Sequence, residues 1–144
     1  MSFVKLWIHA IWTTKNRQPI LMKESRQTLF DHIHENAINK NILMDSVNGY
    51  LEHVHCLFRL RNDQNISKVI QLIKGESSFW SNKKKLLKHK LDWQDDYFAV
   101  SVSESQINVL RSYISNQEEH HRKITFHEEY VEFIKKYGFK IING

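Results

Sequence analysis

Cysteine, proline and glycine are scarce in this 144-residue chain, at one, one and four residues. A lone cysteine, Cys56, cannot close an internal disulfide, which excludes a small secreted scaffold held by cross-links. So little proline and glycine excludes a collagen-like repeat and a Pro/Gly-rich disordered chain. No apolar run approaches the roughly 18 residues that a membrane-spanning helix needs. Met1-Ser2-Phe3-Val4-Lys5 is not followed by the apolar stretch and small-residue cleavage site of a signal peptide. These absences lead us to expect a soluble, cytoplasmic protein.

What is present is ordinary for a folded domain: 41% hydrophobic and 26% charged residues. The length suits one domain spanning 1–144. A chain of this size buries roughly two thirds of its unfolded surface, enough for one core. Its 21 basic and 16 acidic residues leave a net charge of +5. That balance permits a phosphate-rich partner without identifying one.

Hydrophobic periodicity gives an element order. Phe3 to Thr14 is rich in β-branched and aromatic residues and predicts a first strand. Leu29, Ile33, Ala37 and Ile38 recur at helical spacing between Glu24 and Lys40. Ile42 to Tyr50 and His53 to Arg61 read as two strands of a hairpin, joined through Leu51 and Glu52. A second helix runs from Ser67 towards Trp80, and the basic stretch Lys83 to Lys90 after it reads as a solvated helix end or loop. Tyr97 to Ser103 alternates and predicts a fourth strand; Ser105 to His121 and Phe126 to Tyr137 predict two more helices, the last capped by Gly138. The order βαββαβ plus two helices is that of an α+β, ferredoxin-like antiparallel sheet, with helices on one face and additional C-terminal helices. The other face of such a sheet can stay open to a partner.

Two segments carry chemistry. In His53-Val54-His55-Cys56-Leu57-Phe58-Arg59-Leu60 the apolar even-numbered residues claim the core, because strand side chains alternate between faces. His53 and His55 then project together from the other face, close enough to share a metal ion. Two surface histidines would satisfy the same pattern, and two ligands are too few for a tight site. The second segment is Tyr113-Ile114-Ser115-Asn116-Gln117, followed by His120 and His121. Ile107, Leu110 and Ile114 form an apolar stripe. Tyr113 and Gln117, four residues apart, lie on one helical face at its edge, near His120. An amphipathic helix with a snorkelling tyrosine fits this equally well.

Taken together, these segments resemble a known family. His53-Val54-His55 is similar to the HUH motif, two histidines around a hydrophobic residue. Tyr113-Ile114-Ser115-Asn116-Gln117-Glu118-Glu119-His120-His121 is similar to the tyrosine helix of the small single-tyrosine transposases of minimal bacterial insertion sequences. Trp12-Thr13-Thr14-Lys15-Asn16-Arg17, Lys74-Gly75-Glu76-Ser77-Ser78, and Trp93-Gln94 with Tyr97 to Ser103 resemble further family segments in the same order. The residue before the first histidine is often Asp in that family; here it is Glu52.

The resemblance implies an enzyme that cuts and rejoins single-stranded DNA hairpins at the ends of an insertion sequence, through a covalent 5′-phosphotyrosine. It makes Tyr113 the nucleophile, and His53, His55 and Gln117 the ligands of Mg²⁺ or Mn²⁺. Glu52 and His120 are candidates for orienting these groups. Lys15, Arg17, Lys74, Lys83, Lys84 and Lys85 are candidates for holding phosphates, though each reads equally as a solvated charge. The family further implies a homodimer in which the helix bearing Tyr113 docks against the partner's histidine pair. Three other readings stay open: a domesticated relative acting on repeated chromosomal hairpins, a non-catalytic nucleic-acid-binding module, and a small metal-dependent hydrolase without a covalent step.

Overall fold

A computed structural model describes residues 1–138. Strands β1 (Leu6–Thr13), β2 (Leu43–Gly49), β3 (His53–Leu60) and β4 (Phe98–Val102) form one antiparallel sheet in the order β2-β3-β1-β4. Helix α1 (Lys23–Asn39) links β1 to β2, and α2 (Ile66–Lys84) links β3 to β4. Three short helices follow: α3 (Ile107–Ser115), α4 (Gln117–His121) and α5 (Phe126–Tyr137). The ferredoxin-like order expected from the sequence is therefore the observed one.

Strand register sorts the side chains. Trp12 lies opposite Val54, Ala10 opposite Cys56 and Ile8 opposite Phe58, and these residues meet Leu29, Phe30, Ile33, Ile70 and Ile73 in the main core beneath α1 and α2. Each large apolar side chain fully buried there contributes about 1.5–3 kcal/mol of transfer free energy. The other face carries Thr13 opposite His53, Ile11 opposite His55 and His9 opposite Leu57.

That second face is not open. Trp7 and Leu57 on the sheet pack against Ile107 and Ile114 of α3, with Leu110 and Tyr113 beside them. The stripe of α3 thus finds an apolar patch on its own sheet, and the C-terminal helices cover the histidine face.

Boundaries differ from the sequence expectation in three places. β1 starts at Leu6, because Phe3 is 89% exposed and has nothing to pack against. Helix α2 runs on through Lys83 and Lys84, started by the Asn65 side chain, which accepts from the Lys68 amide, and stopped by Lys85 in the left-handed conformation. The helix expected from Ser105 to His121 breaks at Asn116 (φ −102°, ψ 23°), so Tyr113 and Gln117 stand on two successive short helices. Asparagine suits such a break, since its short amide competes with the helical backbone. Gly138 caps α5 at φ 68°, as its sequence position suggests.

Candidate metal and tyrosine site

β3 delivers His53 and His55 side by side into the interface between the sheet and the C-terminal helices, and both are completely buried. His53 Nδ1 donates to Glu52 Oε1 at 2.6 Å, so in the neutral ring Nε2 is a lone pair. That nitrogen faces Gln117 Oε1 at 3.0 Å, from the first residue of α4. Gln117 is itself fully buried, and its Nε2 has no hydrogen-bond partner among the described residues.

His55 Nδ1 lies 2.9 Å from His9 Nε2 on β1, with the two rings stacked at 5.1 Å. Burial lowers the His55 pKa to about 4, against the opposing pull of Glu129. His9 is likewise held well below the usual imidazole range, by burial and then by His55. Both rings are therefore neutral at physiological pH, the form in which imidazole binds a metal.

Glu129, on α5, joins the two segments. Its side chain is 1% exposed. Oε1 lies 3.1 Å from His55 Nε2 and 3.5 Å from His53 Nε2, while Oε2 lies 3.1 Å from His120 Nε2 and 3.3 Å from His121 Nε2. Oε2 also accepts a short hydrogen bond from the Tyr113 hydroxyl. Burial works to raise the Glu129 pKa, but hydrogen bonds from His121 and His55 hold it well below the usual carboxylate range. Tyr113 responds in the opposite sense: burial, then the Glu129 charge, push its phenol well above the usual range. The His121 pKa is raised, since its bond to Glu129 outweighs burial.

The donor set suits a divalent ion. Two groups of potential ligands share the same carboxylate, His53 with His55 and Glu129, and His120 with His121 and Glu129. Adjacent ligands of an octahedral ion at about 2.1 Å stand about 3.0 Å apart. The first group, with Gln117 Oε1, shows separations of 3.0, 3.1 and 3.5 Å. Gln117 Oε1 also lies 3.1 Å from His121 Nε2, while the Gln117 amide nitrogen has no partner among the described residues.

The other candidates fall at graded distances from this centre. Glu52 orients His53, and His120 Nε2 lies 3.3 Å from the Tyr113 hydroxyl. The Arg17 guanidinium sits 5.1 Å from the rings of both Phe126 and Tyr130, and Phe126 in turn stacks on His53 at 4.4 Å. Lys15 is exposed and pairs with Asp92 at 3.7 Å. Lys74 Nζ donates to the carbonyls of Gln94, Asp95 and Asp96 and so pins the segment leading to β4. Lys83 lies over the exposed Phe79 ring at 5.9 Å, and Lys83, Lys84 and Lys85 end α2, which covers the opposite face of the sheet.

The model of the IS200-like transposases matches residues 2–117. This chain belongs to that family. It is 27% identical over 119 residues to the ISDra2 transposase TnpA of Deinococcus radiodurans, covering 78% of this chain and 84% of that one. A crystal structure described as a transposase of D. radiodurans R1 superposes with a TM-score of 0.62 at 26% identity, over 81% of this chain and 93% of the other. The structure of a REP-associated tyrosine transposase bound to a REP hairpin shares the fold, with a TM-score of 0.60 at 18% identity over 84% and 72% of the two chains. The family segment ends at Gln117, so His120, His121 and Glu129 lie beyond it.

Sequence reasoning missed two residues of this buried cluster, Glu129 and His9. A signal existed for each. Glu129 occupies the apolar stripe of α5, between Phe126 and Phe133, where a carboxylate needs a partner. His9 alternates with Trp7 and Ile11 on the face of β1 that abuts the histidine pair.

Proposed function

We propose that residues 1–144 act as one transposase domain that cuts and rejoins single-stranded DNA at the hairpins of an insertion sequence. Tyr113 is the nucleophile, and His53, His55 and Gln117 hold Mg²⁺ or Mn²⁺. The observation that carries this reading is convergence: the Tyr113 hydroxyl and the Nε2 atoms of His53 and His55 all face one buried carboxylate.

The chemistry follows from the residue types. Tyr113 Oη attacks the scissile phosphorus; the Oη–P bond forms and the P–O3′ bond breaks. The phenol gives up its proton, the departing O3′ takes one up, and one phosphodiester replaces another. A phenol, with a pKa of about 10, leaves more readily than an alcohol, so a DNA 3′-OH can later reverse the attack without ATP. A bound divalent ion supplies charge neutralisation at the phosphate oxygens. Glu129 and His120 hold the phenol in place beforehand. Arg17, between two rings at the rim, is the basic group best placed for the DNA strand, with Lys15, Lys74 and Lys83 to Lys85 as more remote candidates. Stacking of unpaired bases on exposed aromatics adds sequence-tolerant affinity.

Access bears on the dimer. Tyr113 lines two clefts of about 510 and 390 Å³, but the residues lining them do not include His53 or His55. A phosphate reaches the histidine pair only when α3 to α5 move. Within the single chain Tyr113 faces its own histidines. In the proposed homodimer the displaced helices are replaced by the partner's, which gives a shared site.

The test is a denaturing gel. Wild-type protein incubated with Mn²⁺ and hairpin oligonucleotides from the flanks of its own gene is expected to yield a protein–DNA adduct. Tyr113→Phe is expected to yield none while binding the hairpin within a few-fold of wild type. Undiminished cleavage by the Phe variant would sink the tyrosine mechanism and favour a hydrolase.

A further inference from the structure

We propose that Glu129 of α5 is a further protein ligand of the divalent ion, and that its carboxylate bridges the ion to Tyr113. The inference rests on the reading of His53, His55 and Gln117 as ligands, and extends it to a residue outside the segment the family model covers.

The geometry divides the carboxylate between two tasks. Oε1 turns to the histidine pair, 3.1 Å from His55 Nε2 and 3.5 Å from His53 Nε2. Oε2 turns to Tyr113, His120 and His121. With Glu52 holding the Nδ1 hydrogen of His53, that ring presents only a lone pair to the centre. Gln117 presents its carbonyl oxygen and leaves its amide nitrogen unpartnered. His55 Nε2 donates its hydrogen to Glu129 Oε1 in the metal-free chain, and presents a lone pair to an ion in the other tautomer, with Nδ1 donating to His9. In that tautomer two imidazole nitrogens, a carboxamide oxygen and a carboxylate oxygen converge, with His121 Nε2 at 3.1 Å from Gln117 Oε1 and 3.3 Å from Glu129 Oε2 as the remaining donor beside them. A cation inside this set takes the place of the hydrogens that hold it together in the metal-free chain.

The burial of Glu129 points the same way. An ionised carboxylate removed from water costs several kcal/mol unless it is paired or coordinates a metal. No Lys or Arg pairs with Glu129 among the described residues; its ion-pair partners are four histidines. A carboxylate also hardens a ligand set that would otherwise be dominated by imidazole, and so suits Mn²⁺ or Mg²⁺.

The structure has a further consequence for order of assembly. Oε1 reaches the histidines only because the capping box of Thr125 and Glu128 starts α5 beside Phe126, whose ring stacks on His53. Ion binding therefore favours docking of α5, and docking brings the hydrogen-bond acceptor of Tyr113 with it.

The experiment measures Mn²⁺ binding to the full chain, without DNA, by electron paramagnetic resonance titration. Wild type, Glu129→Gln and His53→Ala are compared, with the fold of each checked by circular dichroism in EDTA. We expect Glu129→Gln to weaken Mn²⁺ binding tenfold or more, and His53→Ala to weaken it at least as much. If His53→Ala weakens binding and Glu129→Gln does not, Glu129 is no ligand and the histidine reading stands. If neither variant changes binding, the histidine reading falls too. A measurement on wild type alone covers the case of a misfolded variant. Protein carrying ¹³C in its Glu side-chain carboxyls and loaded with Mn²⁺ is expected to show a resolved ¹³C hyperfine coupling from a directly bound carboxylate. Only weak through-space coupling would overturn the proposal.

Discussion

Glu52 accepts the Nδ1 hydrogen of the residue next to it, His53, at 2.6 Å. Adjacent strand residues normally point to opposite faces. Glu52 escapes this because it ends the β2–β3 connection, where its backbone carbonyl also accepts from the Thr14 amide at 2.9 Å. The Glu52 side chain therefore reaches the ring of its own neighbour.

Removing that contact is expected to loosen His53 without unfolding the sheet. Glu52→Ala should lower Mn²⁺ affinity by about 10–100-fold, the usual cost of losing a partner that orients a metal-binding histidine. Calorimetric titration of the variant checks this, and unchanged affinity would mean that packing alone fixes the ring.

Gly49 is predicted to tolerate no side chain. A Cβ there would stand 2.1 Å from the His53 carbonyl oxygen and 3.0 Å from both the Val54 Cα and the Phe30 ring. Two of those neighbours are backbone, so β2 must shift away from β3. Gly49→Ala should cost about 1–3 kcal/mol in urea unfolding, the range of an overpacked core, and should lower metal affinity as well, since His53 moves with its carbonyl. A variant as stable as wild type would show that the hairpin yields without strain.

Asp45 gives a pH dependence independent of the metal centre. Burial works to raise its pKa, but hydrogen bonds from Arg111 and Ser46 outweigh it and hold the carboxyl below its ordinary 3.8. A carboxyl depressed in the folded state contributes stability above its unfolded pKa and loses it as pH falls through the folded value. Asp45→Asn should therefore be less stable than wild type at pH 7, and the gap should close below about pH 4. Thermal melts across that range check the sign. The effect should be modest and salt-sensitive, because the Arg111 side chain is 45% exposed. This pair also ties α3 to the bulged strand β2, so its loss is expected to loosen the helix that carries Tyr113.

Mixing two inactive chains tests the proposed homodimer. Tyr113→Phe and His53→Ala chains should complement each other, because one of the two composite sites receives an intact Tyr113 and an intact histidine pair. A stable mixed dimer without recovered adduct would assign Tyr113 to its own chain's histidines.

Much of this was legible in the chain. The alternation of Val54, Cys56, Phe58 and Leu60 placed His53 and His55 together before any coordinates, since a one-residue slip would have buried Arg59 in the core. The spacing of Ile107, Leu110 and Ile114 gave α3 its buried stripe. What the sequence hid was the cover over the histidines. A ferredoxin-like sheet is stable with one face open, and the two fully covered apolar groups beneath α3, Trp7 and Leu57, are separated by some fifty residues. Glu129 stands on the apolar stripe of α5 but next to Glu128, and spacing alone does not say whether a carboxylate there is buried or turned to solvent. Only the three-dimensional meeting of β1, β3, α3, α4 and α5 distinguishes the buried carboxylate from its exposed neighbours. The break at Asn116 escaped because helical spacing persists across it.

The single cysteine opens an experimental route. Cys56 lies fully buried in the main core, where burial pushes its thiol well above the usual range and leaves it unreactive. A cysteine introduced on the outer side of α5, at Val131 with 48% exposure, would then be the one labelling site in the chain. A spin label or dye attached there reports directly whether α5 stays on its own sheet, lifts when DNA arrives, or crosses to a second copy.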